Sequence, residues 1–261
     1  MGGGYNVVTQ LDITNGVDVC DSSQLESVPE FDCLVHLANL VYVPDSYRFP
    51  EKFYRINYLS TLNALELCRK YSAHLIYLSS YIYGQPQYLP VDEKHRQNPF
   101  NPYAQTKCIC ESLCQGYHRD FGLDVTILRP FNIYGKGQKG NQLIPEIVKQ
   151  IQEGKTVINL RSSTPRRDYV NVRDVASAIF AAFNDTRGCN VYNVCSNRSL
   201  SVKEITEIIN NSINNKVQFE FSESDRPNEV DETVGSYEKI HDSLGWTPKI
   251  SFEDGIREIF I

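Results

Sequence analysis

The chain has 261 residues, 41% hydrophobic and 22% charged, the make-up of a folded globular protein with room for a sizeable core. A formal net charge of -6 argues against general nucleic-acid binding and against an acidic membrane surface as partner. No apolar run reaches the ~18 residues of a membrane span, and the opening MGGGYNVV lacks the basic and apolar regions of a secretory leader, so the expected compartment is cytoplasmic.

In chain order, residues 6–11 (NVVTQL) predict a strand ending at Asp12, and residues 16–19 a second short one. Residues 32–37 predict a third, running into Ala38 and Asn39. From 53 to 71 apolar residues recur at helical spacing (Ile56, Leu59, Leu62, Leu65). Residues 75–78 read as a buried strand closed by Ser79 and Ser80. A proline-containing loop then leads to a helix over 103–121 and a strand over 125–128. Strands alternating with helices of this length imply crossovers and a parallel sheet, an α/β fold.

After Arg129 the texture changes. Helical patterns at 144–153, 172–183, 201–211 and 237–244 alternate with short strands near 157–160, 190–194 and 217–221. This predicts a smaller, mixed C-terminal lobe joined to the sheet by more than one crossing. The expected division is a first domain over 1–135 with 157–185 returning to it, and a second lobe over 136–156 and 186–261.

The eight cysteines form no C-x-x-C pair, and Cys110 and Cys114, four apart on a predicted helix, have no His or second pair to complete a zinc set. They read as reduced, buried thiols, and no metal is expected.

Tyr103 and Lys107 are four apart on a predicted helix, so phenol and ammonium share a face. A serine at a strand's C-terminal end can point into the crevice where open α/β sheets bind ligands. A lone Tyr-x-x-x-Lys carries little weight in a chain with 16 Tyr. What carries weight is the order: strand, Ser-Ser-x-x-Tyr-Gly, loop, Asn-Pro-Tyr-x-x-x-Lys. This run resembles the active-site stretch of the extended short-chain dehydrogenase/reductases, the NAD-dependent epimerase/dehydratase family of sugar-nucleotide enzymes.

The resemblance implies a Rossmann-like, doubly wound parallel sheet, NAD as cofactor, a nucleotide-diphosphate sugar as substrate, and a homodimer. Ser79 takes the position of the family's catalytic hydroxyl, with Tyr103 as general base and Lys107 holding the nicotinamide ribose and stabilising the phenolate. The phenol's reference pKa near 10 has to fall for that role. Ser79 and Ser80 are expected to bind the substrate, and Ser80 and Tyr81 stand where the related 4,6-dehydratases carry Asp-Glu, which argues against water elimination.

For the cofactor, Asp12 can accept from both ribose hydroxyls and would repel a 2′-phosphate, favouring NAD; a turn cap is the plainer use of the same residue. Asp18 and Val19 resemble the adenine-edge pair, and again a turn aspartate is the alternative. Leu37, Ala38 and Asn39 resemble the family's His-Leu-Ala-Ala/Gly turn, with Asn39 a departure. Asn57 matches an asparagine that buttresses the site, or is a solvent-facing polar residue of its helix.

Arg129-Pro-Phe-Asn-Ile-Tyr-Gly135 matches a family signature that sets Pro130 near the nicotinamide and Asn132 on the diphosphate. Asn141 and Leu143 resemble the segment over the nucleotide base, and Arg167 and Arg226 the pair that clamps the diphosphate.

The glycines at 2–4 have no strand before them and no helical pattern after them, so they do not read as the glycine-rich turn that cradles a pyrophosphate. The expectation is that roughly the first βα unit of the fold is missing and that NAD binding is weakened. Three readings follow: a UDP-hexose 4-epimerase, a 4-keto-sugar-nucleotide reductase, and a catalytically impaired sugar-nucleotide-binding homologue.

Overall fold

The structure is a computed structural model that describes residues 6–140, 142–185, 187–214, 216–222 and 230–261. In chain order its first elements are β1 (Cys33–His36), α1 (Val43–Arg48), α2 (Pro50–Tyr71), β2 (His74–Leu78), α3 (Pro102–Phe121) and β3 (Val125–Pro130). There follow β4 (Asn132–Tyr134), α4 (Leu143–Gln152), β5 (Val157–Leu160), β6 (Arg166–Asn171), α5 (Val172–Ala182) and β7 (Cys189–Val194). The chain closes with β8 (Ser199–Ser201), α6 (Val202–Ser212), β9 (Gln218–Phe221), α7 (Glu238–Leu244) and α8 (Phe252–Phe260).

The chain forms two compact units. The first takes in the chain up to Ile82, then Gln97–Arg129 and Ile179–Tyr192. Its sheet has the order β1-β2-β3-β7, with β1–β2 and β2–β3 parallel. These are the expected crossovers of an α/β fold: α2 links β1 to β2, and α3 links β2 to β3.

Both helices are set by their ends. Pro50 opens α2, and Ser72 closes it in the left-handed region at φ 54, donating its N–H to Cys68 O. At α3 the Asn101 side chain accepts from Ala104 N, Pro102 is the first helical residue, and Gly122 at φ 70 is the stop. Each then turns one face inward. Leu65 and Cys68 of α2 meet Cys110 and Cys114 of α3 over Leu75, Tyr77, Val125 and Ile127 of the sheet. Each large apolar side chain so buried contributes about 1.5–3 kcal/mol.

The expected strands at 6–11 and 16–19 do not form. Residues 6–11 and 16–19 hold no regular element, and each run is followed by a 3-10 turn, Ile13–Asn15 and Ser22–Leu25, capped by an aspartate. Val7 is 77% and Val8 55% exposed, so this run buries neither, and among the described residues no strand pairs with it. Gly16, at φ 81, breaks the second run at its first residue.

The second unit comprises Tyr83–Arg96, Pro130–Ala178 and Asn193–Ile261. It is no smaller than the first, contrary to expectation, because β5 and β6 stay in it. Only Ile179–Tyr192 returns to the first unit, not 157–185, since β5 pairs with β9 and β6 with β4 and β8. β4–β6 and β5–β9 are parallel and β6–β8 antiparallel, giving the mixed pairing expected of this lobe.

β4, β6, β8 and α8 went unforeseen. β6 begins Arg-Arg-Asp, which hides its alternation, while β4 and β8 are three residues each. The core of this unit joins Tyr134, Ile147, Ile158, Ile205, Ile209 and Ile256. Gly135 is required by space: a Cβ there would meet Val172 Cγ1 at 2.5 Å.

The eight cysteines are all free; Cys68, Cys110, Cys114 and Cys195 are buried and the others half-buried, more accessible than expected. The single tryptophan, Trp246, is buried, its indole N–H donating to Ser177 Oγ at 2.8 Å and Asp174 O at 3.2 Å. Among the described residues no helix is long and apolar enough to cross a membrane, and no cluster of three His, Cys, Asp or Glu side chains could hold a metal ion.

Candidate active site

Ser79, Ser80, Tyr103 and Lys107 all lie in the first unit. Lys107 sits on the buried face of α3 and is 2% exposed. Its Nζ donates to Leu78 O at 2.8 Å and lies 4.9 Å from the Tyr77 ring centre and 6.0 Å from that of Tyr103. The last residues of β2, the phenol and the ammonium are thereby brought together.

The electrostatics differ from expectation. Burial pushes the Tyr103 phenol up from its ordinary value, and the Ser80 hydroxyl beside it pulls the other way. Burial also brings Lys107 down to about 8, against the pull of Cys110, Glu111 and Cys114. The chain's own groups therefore do not lower the phenol; the cation meant to do so is itself weakened by desolvation.

One buried group escaped the sequence reading. Glu111, fully buried, accepts from Ser79 Oγ at 2.5 Å, from Gln97 Nε2 at 2.9 Å and from Arg129. The Arg129 contact is a fork: Nε reaches Oε1 at 3.0 Å and Nη2 reaches Oε2 at 2.5 Å. The available signal was spacing. Tyr103, Lys107 and Glu111 follow at steps of four on one helical face, a pattern a surface glutamate shares.

His36, at the end of β1, bonds Thr61 Oγ1 at 3.1 Å and stacks on Tyr77. Burial first, and the Lys107 charge second, hold its pKa down at about 3, so the ring stays neutral. Asn39 Nδ2 approaches His36 Nε2 at 3.3 Å, while its buried Oδ1 has no partner among the described residues. Leu37 is 55% exposed and Ala38 half-buried.

Asn57 is not a solvent-facing residue of its helix. It is fully buried, accepts from Leu40 N at 2.7 Å, and donates to Leu40 O at 3.1 Å and Thr106 Oγ1 at 2.8 Å. It thus locks the chain after β1 to α3, one residue before Lys107.

Asp12 and Asp18 both serve as turn caps. Asp12 accepts from the Thr14 hydroxyl and from Thr14 N at 2.7 Å, and those bonds, the hydroxyl's first, hold its exposed carboxyl below the usual range. Asp18 accepts from Cys20 N at 2.9 Å, and Val19 O takes a bond from Asn63 Nδ2.

The remaining residues named from sequence belong to the second unit. Pro130 is buried at the end of β3, and Asn132 Nδ2 donates to Asp168 O at 3.0 Å. Leu143 is the first residue of α4. Arg167 Nη1 donates to the carbonyl of Arg166 at 2.8 Å. Asn141 and Arg226 fall outside the described residues.

Asp168, fully buried, is the polar centre of this unit. It accepts from Ser196 N at 2.8 Å, Asn197 N at 3.0 Å and Gly235 N at 3.1 Å. Burial pushes the carboxyl up to about 6 while these donors oppose it.

Comparison with known proteins agrees with this architecture. The family model described as GDP-mannose 4,6 dehydratase matches residues 8–259. The chain is 32% identical to the GDP-6-deoxy-D-mannose reductase of Pseudomonas aeruginosa, over 95% of this chain and 86% of that protein. It is 31% identical to a putative UDP-glucose 4-epimerase of Methanocaldococcus jannaschii, over 97% and 84%.

Among solved structures, RMD from Pseudomonas aeruginosa complexed with NADPH superposes with a TM-score of 0.86 at 31% identity, covering 93% of this chain and 85% of that one. A UDP-glucose 4-epimerase of Thermotoga maritima with UDP-glucose gives 0.85 at 26% identity, covering 93% and 81%. With the α/β sheet, the Ser-Ser strand end and the Tyr-Lys helix in place, the chain belongs to the NAD-dependent epimerase/dehydratase family of extended short-chain dehydrogenase/reductases.

Proposed function

We propose that the chain is a nicotinamide-dependent enzyme acting on a nucleotide-diphosphate sugar, and that it is a 4-epimerase of the UDP-hexose type. The observation that carries this is the meeting of Lys107, Tyr103 and the Ser79-Ser80 strand end in one unit. Two features suit the nicotinamide end of a dinucleotide: the shared face of Tyr103 and Lys107, and the buried, unpartnered Asn39 oxygen. NAD, when bound, supplies the acceptor and donor of the hydride. Asp12, Asp18, Val19, Leu37, Ala38, Asn57 and Pro130 are the further residues proposed to hold or support it.

Tyr103 takes the proton of the sugar's 4-hydroxyl and later returns it. Lys107 holds positive charge beside the phenol, and a serine hydroxyl at the end of β2 hydrogen-bonds the reacting oxygen. Asn132, Asn141, Leu143, Arg167 and Arg226 are proposed to take the nucleotide diphosphate. Elimination of water is disfavoured, since Ser80 and Tyr81 stand where dehydratases carry their acid and base.

A second reading, reduction of a 4-keto sugar nucleotide, is favoured by the similarity to the Pseudomonas reductase. The same serine, tyrosine and lysine serve it. We also propose a homodimer through α2 and α3, where Tyr54, Tyr58 and Ile109 line an apolar hollow of about 320 Å³.

The test is turnover of UDP-glucose without added nucleotide, beside NADH and NADPH oxidation with GDP-4-keto-6-deoxymannose. Interconversion of hexoses without net oxidation supports the epimerase; stoichiometric NAD(P)H consumption supports the reductase. Tyr103→Phe is expected to lower either kcat by about 10²–10⁴. Binding of UDP or GDP with no turnover of any sugar nucleotide would leave a binding homologue and overturn the enzymatic reading.

A further inference from the structure

Between β2 and α3 the chain leaves the first unit at Tyr83 and returns to it after Arg96. The base of this excursion is closed, with Asn98 N donating to Ile82 O at 3.0 Å. Its head packs on itself: Asp92 accepts from Lys94 N at 3.1 Å and from His95 N at 3.2 Å, and the rings of His95 and Tyr88 lie 3.8 Å apart. Joined ends and an interior of its own make it a compact loop.

One side chain outside the loop holds that head. Asn193 of β7 accepts from the Tyr83 hydroxyl at 2.6 Å and donates through Nδ2 to Val91 O at 3.0 Å. Its main-chain N–H goes to Glu93 Oε1 at 2.6 Å. Val91 is seated further by backbone, its N donating to Val234 O at 2.8 Å and its O accepting from Ser236 N at 2.9 Å. Taking a proton from a phenol while giving one to a carbonyl requires an acceptor and a donor on one short side chain. A carboxamide has both; a carboxylate only accepts. Tyr83, Val91 and Asn193 are all fully buried, so Asn193 offers no atom to a ligand.

The same loop delivers the chain to α3. Asn101, three residues after Asn98, caps that helix by accepting from Ala104 N at 2.8 Å, and Tyr103 stands in the capped turn. The first turn of a helix lacks intrahelical partners for its N–H groups, so the segment before it decides how firmly it is held.

We propose that Asn193 is a positioning residue for the reaction: by holding Tyr83, Val91 and Glu93 it fixes the loop, and the loop fixes the first turn of α3 with the phenol it carries. The assignment rests on the reading of Tyr103 as the base. Asn193 touches neither substrate nor cofactor in this scheme, and its effect on rate is one of geometry, where a displacement of about 1 Å can cost about 100-fold.

The experiment compares variants of the full chain by hydrogen exchange. Asn193→Ala removes both side-chain bonds, and Tyr83→Phe removes one while keeping the packing. Ile209→Val trims a core cluster of the second unit that contains no residue of the loop, and controls for a plain loss of stability. In Asn193→Ala the amides of Asn98 and Ala104 exchange about tenfold faster than in the wild type, and in Tyr83→Phe less so. In Ile209→Val they keep the wild-type rate although the melting temperature falls.

With turnover in hand, Asn193→Ala lowers kcat by about 10–100-fold with KM within about threefold, while Ile209→Val changes neither. Wild-type exchange at Asn98 and Ala104 in Asn193→Ala, or an equal rise in Ile209→Val, overturns the assignment. Should Asn193→Ala fail to fold, Tyr83→Phe against Ile209→Val decides on the same terms. Exchange needs no substrate, so it decides the hold of Asn193 on α3 even if no sugar nucleotide is turned over.

Discussion

Lys107 and Leu78 are joined at 2.8 Å, ammonium to carbonyl, at the point where β2 runs out. The lysine is 2% exposed, and burial brings its pKa down to about 8. The unfolded chain holds its lysine proton to about 10.4. Between these values the unfolded state binds a proton that the folded state does not, so stability rises with pH across that window and the cost of the buried charge is greatest below it.

The expected contribution is on the order of 3 kcal/mol across that window. Urea midpoints of wild type and Lys107→Met, compared from pH 7 to 10.5, would show it as a difference that closes as pH rises. Parallel curves for the two proteins would contradict it.

Arg129 and Glu111 form a buried ion pair at 2.5 Å, with side chains 4% and 0% exposed. Removing one partner leaves an uncompensated charge, so Arg129→Met is expected to destabilise by about 3–5 kcal/mol. The double variant Arg129→Met/Glu111→Leu removes both charges and should regain much of that loss. A double variant no more stable than the single one would mean that the pair's hydrogen bonds to Ser79 and Gln97 matter more than its charges.

Asn57 makes two bonds to Leu40 and one to Thr106 from a fully buried position. Asn57→Ala leaves the Leu40 N–H and carbonyl unsatisfied, and a loss of about 2–4 kcal/mol is expected. Since Thr106 neighbours Lys107, hydrogen exchange at the first turns of α3 should rise in the variant. Unchanged exchange there would confine Asn57 to holding the loop after β1.

In the second unit, Gly235 gives its N–H to Asp168 at 3.1 Å, and a Cβ on it would meet the Phe131 ring at 2.6 Å and Cys195 Sγ at 2.7 Å. Gly235→Ala is therefore expected to lower stability by about 1–3 kcal/mol. Asp168→Asn sets an NH2 group against backbone donors and should cost as much or more. Melting temperatures within a degree of wild type for both would show that this hub tolerates rearrangement.

What could be read from sequence followed from physics that is local or periodic. Leu65 on α2, and Tyr103 with Lys107 on α3, announce themselves through helical spacing, and the strands at 75–78 and 125–128 through short apolar runs. The failures have the opposite cause. Val7 and Val8 are β-branched and suit a strand, yet pairing depends on a neighbour that no local pattern reveals.

Site residues split the same way. Tyr103 and Lys107 stand at a spacing with chemical meaning, whereas Glu111 draws its partners from Ser79, Gln97 and Arg129, 32, 14 and 18 residues away in sequence. Likewise the choice between a buttress and a solvent-facing role for Asn57 rested on which way one helix face turned.

The placement of Trp246 and of the thiols gives the molecule two native reporters. The lone indole sits in the second unit, and seven of the eight cysteines sit in the first, Cys195 being the exception. Intrinsic fluorescence therefore follows one half of the chain and alkylation kinetics the other, with no label added. Coincident traces under denaturant would mark a single cooperative melt, and separated ones an intermediate with one half intact.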